Sequence, residues 1–214
     1  MQYSTALTDA LLALACLGGL WGVWRARGQA AHTEQAAWFC CALGFALPAA
    51  AACLGVIRYG FSPDVHSAHQ LLSQASALLG LPLLASAALV RSYAWGLRQA
   101  TWGRILLGLC AAFELARLAN LLEPYRLLLN IACLTLIILA GYRQWPKRTP
   151  LLTSLACAGL FAVAGVAVGT QGWLGAVRKV DIFHVLLSLA YPLLAWLLLQ
   201  LATSGQQPTK EENP

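Results

Sequence analysis

Asp181, His184, Ser188 and Tyr191 fall at i, i+3, i+7 and i+10 in a run that is otherwise almost wholly aliphatic. On a helix, that spacing gathers the four side chains into one stripe. His66, His69, Ser73 and Ser76 repeat the same spacing earlier in the chain. Acids and imidazoles are costly inside an apolar helix, so there they mark a functional site by default. They are also the ligands of catalytic zinc, which takes three protein groups and a water whose pKa it lowers to about 7.

The expected metal ligands are therefore His66, His69 and His184, holding a divalent transition metal with zinc as first choice. Asp181 is then a fourth ligand, a partner of a ligand or the general base, and Asp64 can take the same roles. Ser73 or Ser188 would hydrogen-bond the developing oxyanion of an acyl substrate. A b-type haem held by His69 or His66 and His184 is the alternative cofactor. In the plainer reading, His66 and His69 are wet residues at a helix start and Asp64 favours the helix dipole.

The elements that must position these groups are membrane helices. With 59% hydrophobic and 10% charged residues and a mean hydropathy of +0.66, the chain is excluded from the ordinary soluble class. A bilayer core needs about 20 apolar residues per helix. Runs of that kind lie at 5–24, 36–57, 66–89, 104–122, 125–142, 151–170 and 180–201. The expectation is an all-α polytopic protein, a seven-transmembrane-helix bundle over residues 1–202 with a disordered polar tail at 203–214. No basic region precedes the first run, which reads as a retained span.

Arg25, Arg27, Arg91, Arg98, Arg104, Arg143, Lys147, Arg148 and Lys210 fall on one side of this arrangement, against Arg58, Arg126, Arg178 and Lys179 on the other. The positive-inside rule then places the N-terminus outside and the C-terminus in the cytoplasm, as for a multi-pass protein of a bacterial inner (plasma) membrane. The net charge of +6 is read as this topology signal, and no nucleic-acid partner is expected. Trp24, Trp95, Trp102 and Trp145 would form an inner interfacial belt, with Trp173 in the outer one.

Both stripes run inward from the outer side, so their polar groups should meet at similar depth. Glu114, Arg117, Asn120, Asn130, Arg58 and Asp9 fall in the same half, which suggests an outward-opening polar cavity. Glu114 and Arg117 read as a mutually neutralising i, i+3 pair, and Asp9 as a solvated or hydrogen-bonded outer residue. The seven cysteines lie in apolar runs without CxxC spacing and read as packing residues. Small residues in the second and sixth runs, among them Gly44, Ala49 to Ala52, Gly159 and Gly165, suggest close helix packing.

The run Asp181-Ile182-Phe183-His184-Val185-Leu186-Leu187, the histidines of the third span and seven helices with an outer N-terminus together resemble the CREST membrane hydrolases. These include the alkaline ceramidases and the adiponectin-receptor group. The resemblance implies a zinc held by three histidines, an Asp and a Ser, and hydrolysis of an amide or lipid. His184 matches the second of two histidines in that family's last helix, where the first position here is Val180. Ser62 and His66 match an earlier Ser and His, while the family's next Asp has no counterpart near Ala77. The expected function is thus a metal-dependent membrane hydrolase acting on a lipid or amphiphilic amide or ester from the outer side. Haem-based electron transfer is one alternative, and a small-ligand sensor or transporter is another.

Overall fold

The computed structural model describes residues 2–204, with side chains as far as 201. Residues 205–214, most of the expected tail, lie outside them; 203 and 204 complete the last helix. The helices are α1 (Tyr3–Gln29), α2 (Gln35–Gly60), α3 (His66–Ala75), α4 (Leu81–Ser92), α5 (Gln99–Leu118), α6 (Leu122–Tyr142), α7 (Arg148–Ala162) and α8 (Lys179–Ser204). A π segment, Ser76–Gly80, joins α3 to α4 in one rod, and a second, Val163–Val168, extends α7. A two-strand antiparallel hairpin, β1 (Trp173–Leu174) and β2 (Val177–Arg178), leads into α8.

Among the described residues, six stretches are long and apolar enough to cross a membrane: Tyr3–Gln29, His32–Gly60, Pro63–Ser92, Leu122–Tyr142, Arg148–Val168 and Lys179–Leu201. α5 is not among them, because its 20 residues carry Arg104, Glu114 and Arg117. It also begins five residues before the expected span and ends four before it.

Local chemistry explains these ends. Asn120 takes a left-handed conformation (φ 58°), with its N–H on the Arg117 carbonyl and the Leu121 N–H on that of Ala116. This is the Schellman pattern that stops a helix, here without its usual glycine. Ala94 (φ 53°) ends α4 in the same way, with Trp95 N–H on the Val90 carbonyl. Glu123 and Pro124, a turn or helix-start signal in the sequence, form the first turn of α6, where a missing N–H costs nothing. Ser62 caps the turn before α3 by accepting the Asp64 N–H at 3.3 Å. Gly175 (φ 60°) occupies the first central position of the hairpin, the place where a type II′ turn requires glycine.

The core sits at one end of the bundle. There α4 buries Leu83, Leu84, Ala85, Ala87 and Ala88 against Ile137 of α6 and Leu194, Leu197, Leu198 and Leu201 of α8. At the same end, Arg91 stacks over Trp38 at 4.0 Å and lies 3.7 Å from Glu34. Trp102, expected in an interfacial belt, is buried in this core, whereas Trp24, Trp95, Trp145 and Trp173 are exposed. Five cysteines are buried, while Cys53 and Cys110 are exposed; all are free thiols.

Glycine decides how closely the helices approach. Gly44 of α2 faces Gly80, whose Cβ would stand 3.2 Å from the Gly44 carbonyl oxygen. A Cβ on Gly141 would strike the Ser154 hydroxyl and come within 2.7 Å of the Pro150 carbonyl, so α6 and α7 are pinned there. Gly159 and Gly165 have nothing within 4 Å of an added Cβ. Close packing by small residues therefore holds for α2 but not at those two positions of the sixth run. Gly141→Ala is expected to lower stability by about 1–3 kcal/mol, the usual cost of overpacking. Gly159→Ala should instead gain about 0.5–1 kcal/mol through helix propensity. Reversible unfolding of the purified protein in mixed micelles separates the two.

Candidate functional site: a polar-floored cavity

At the opposite end, the rods splay. α3 has no buried residue, and burial in that rod begins only in the π segment with Leu78 and Gly80. α6 packs on α4 and α7, but its early residues Leu127, Leu128 and Ile131 stay exposed. The gap is a cavity of about 540 Å³, lined by α1, α2, the α3–α4 rod, α6, α7 and its π segment, and α8. Both π segments face it, through Ser76 and Ala77 on one side and Gly165 and Val166 on the other. Such one-turn insertions recur at functional sites because they reorient the helix face beyond them.

The two stripes found in the sequence do converge here. His69 and His184 both line the cavity, and Ser76 is hydrogen-bonded to the Tyr191 hydroxyl at its deep end. Tyr191 is held edge-on by Phe161 at 5.3 Å and Phe45 at 6.0 Å between ring centroids. Leu12, Pro48, Leu81, Phe161, Phe183 and Leu187 supply apolar wall. At the mouth, Glu123 and Arg126 form an exposed ion pair within the first turns of α6.

Each imidazole is governed by a charged neighbour. His184 Nδ1 lies 3.2 Å from Asp9 Oδ1, and Asp9 is only 1% exposed. A carboxylate beside Nδ1 keeps the proton on that nitrogen, which leaves Nε2 as the acceptor. His69 shows the reverse arrangement. Its Nδ1 is 3.0 Å from Arg58 Nη1; a guanidinium has only donors, so Nδ1 must accept and the proton resides on Nε2. Nε2–H lies 3.5 Å from the Ser73 hydroxyl, at the limit of a hydrogen bond.

Asp9 Oδ2, Asp181 Oδ1, Thr5 Oγ1 and His184 Nδ1 are buried with no hydrogen-bond partner among the described residues, so the approach of His184 to Asp9 is a close electrostatic contact rather than a formed hydrogen bond. Buried polar atoms seldom stay unpaired, so these atoms invite water or a ligand group. Asp9, Asp181, Arg58 and Arg178 all lie near Tyr59.

The expected metal set does not assemble. His66 is exposed at the start of α3 and does not line the cavity, and Asp64 is exposed and hydrogen-bonded to Ser62 at 2.7 Å. Among the described residues, no group of three or more His, Cys, Asp or Glu is placed to hold a metal ion. His69 is also ill suited by itself: a metal on Nε2 would force its proton onto Nδ1, against Arg58. The same objection meets an axial haem ligand at His69. The three expected zinc ligands are therefore not gathered at one point among the described residues. The hydroxyls of Ser73 and Ser188 donate to the carbonyls of His69 and His184, at 2.8 and 2.7 Å. Their hydrogens are thus turned to their own helices, away from an oxyanion.

Two residues central to the site were given other parts in the sequence reading. Asp9, read as a solvated or hydrogen-bonded outer residue, is the buried partner of His184. Arg58, read as one of the polar residues of the outer half, sets the proton of His69. The available signal was that each is a lone charge at the outer end of an apolar run, and such a charge must find a partner. Glu114 and Arg117 are joined as expected, by paired hydrogen bonds on the exposed face of α5.

Helices of membrane-crossing length surround this cavity in an all-α bundle. The chain belongs to a family of unknown function, DUF6962, whose match covers residues 4–203. Comparison with curated proteins and with solved structures finds no match.

Proposed function

We propose that this is a multi-pass membrane protein that binds an amphiphile in the cavity, head group at the Asp9, His69 and His184 floor and chain along the apolar wall. The observation that carries the reading is the cavity itself, mostly apolar, with Asp9, His69 and His184 converging on it and with Leu127, Ile131 and Val166 of its lining exposed. Mostly apolar pockets with a few convergent polar groups are the usual form of small-molecule sites. In this reading α5 is a seventh crossing. Arg25, Arg27, Arg91, Arg98, Arg143 and Arg148 at the packed end support a cytoplasmic location for that end, with the N-terminus outside.

The test uses the intact protein in lipid nanodiscs and a long-chain diazirine probe. Labelling should fall on Leu127, Phe161 or Phe183. Gly165→Phe, which fills space that holds no atom within 4 Å of its Cβ, should keep the fold and abolish that labelling. Labelling unaffected by Gly165→Phe would remove the cavity as the binding site.

The Asp9–His184 pair favours a second reading, in which the bound amphiphile is hydrolysed. A carboxylate that orients an imidazole is the arrangement of a general base. His184 Nε2 would take a proton from water as it attacks a carbonyl whose oxygen faces the His69 N–H. The likeness of the start of α8 to the CREST hydrolases supports this, with the imidazole pair doing without the family's metal. Release of fatty acid from acyl esters or amides should fall about 10²–10⁴-fold in His184→Gln, the range of a lost general base. Failure of every acyl amphiphile to be cleaved would leave binding as the function.

A further inference from the structure

Resting on the amphiphile-binding reading, we infer that the cavity selects an uncharged head group carrying both an acceptor oxygen and a donor hydrogen, the chemistry of a hydroxyl or a primary amide. Two imidazoles face one cavity in opposite hydrogen-bonding states. His69, with Nδ1 held by the Arg58 cation at 3.0 Å, presents an N–H. His184, with Nδ1 beside the Asp9 anion at 3.2 Å, presents a lone pair. A head that accepts from the first and donates to the second satisfies both rings. An ester oxygen satisfies only one of them.

Charge and hydrogen bonding exclude the remaining classes. Glu123 is matched by Arg126 at the mouth, and Asp9 also lines the cavity. A carboxylate head would add an anion beside Asp9, uncompensated in surroundings of low dielectric. A quaternary ammonium offers neither the acceptor nor the donor hydrogen that the two rings require. Arg58 acts here as a positioning residue. It reaches the ligand only through the proton that it fixes on His69 Nε2.

The experiment is competition against the diazirine probe by twelve-carbon compounds: 1-dodecanol, dodecanamide, methyl dodecanoate, dodecanoate, dodecyltrimethylammonium and dodecane. Dodecanol, dodecanamide or both should compete about tenfold better than the methyl ester, the effect of one lost hydrogen bond. The two ions should be weaker still. Arg58→Leu should bring the alcohol and the ester to equal potency, and Arg58→Lys, which still donates, should restore the difference. Ring ¹⁵N shifts of His69 should report the Nε2–H tautomer in the wild type and in Arg58→Lys.

A wild-type His69 with its proton on Nδ1 overturns the inference even if Arg58→Leu fails to fold. So does best competition by an ion, or equal competition by dodecane, and both of those leave cavity binding intact. Absence of any saturable labelling overturns the binding reading itself.

Discussion

Gly55→Ala should unfold at a clearly lower denaturant concentration than the wild type, with the largest loss of stability among single-methyl additions in α2. Gly55 is where α1 and α2 touch across the Asp9 carboxylate, and an added Cβ would coincide with its carboxylate atoms. Overpacking alone costs about 1–3 kcal/mol. Here the obstacle is a buried charge that cannot turn outward without leaving His184. That displacement leaves a hydrogen-bonding group unpaired, at a further cost of about 1–3 kcal/mol. Asp9→Ala combined with Gly55→Ala should lose less than the two changes summed, by about 0.5–3 kcal/mol, since the new methyl then has room. A Gly55→Ala protein within about 0.5 kcal/mol of wild type would contradict this packing.

The second large effect is an asymmetry in the Asp9–His184 pair. His184→Ala removes the group facing the buried Asp9 carboxylate, whose Oδ2 has no hydrogen-bond partner among the described residues, and a charged group left buried and unpaired costs more than the about 1–3 kcal/mol of a neutral one. Asp9→Ala leaves behind a neutral imidazole whose Nδ1 lacks an acceptor, at about 1–3 kcal/mol. The order of the two losses, His184→Ala worse than Asp9→Ala, follows from which partner keeps a charge. The double variant should be less destabilised than the sum, in a cycle measured by the same unfolding assay. Equal, additive losses would mean that the two side chains do not act on each other.

The helices were legible because their signal is long and redundant. Runs of about 20 apolar residues between Arg25-Ala26-Arg27-Gly28 and Arg143-Gln144-Trp145-Pro146 leave few alternatives. Their ends were less legible where Asn120 and Ala94 do what glycine usually does, since neither residue type announces a left-handed stop. The polar stripes were legible from spacing alone, and Ser76 does meet Tyr191. What spacing does not contain is the rotation between helices. It placed His66 and His69 together on the third span, yet only His69 reaches the cavity, and the partner of His184 came from α1. Pairing across helices depends on crossing geometry, and that geometry is set by contacts such as Gly44 on Gly80 rather than by any one run.

The close approach at Gly141 has a mechanical meaning for the cavity. α6 is clamped there against Ser154 and Pro150, while its other end, at Leu127 and Ile131, borders open space. With a rise of 1.5 Å per residue, Leu127 stands about 21 Å from that fulcrum, so a tilt of about 5° swings it by about 2 Å. α6 is in this sense a lever, and its length converts slight play at the clamp into a change of bore at the mouth.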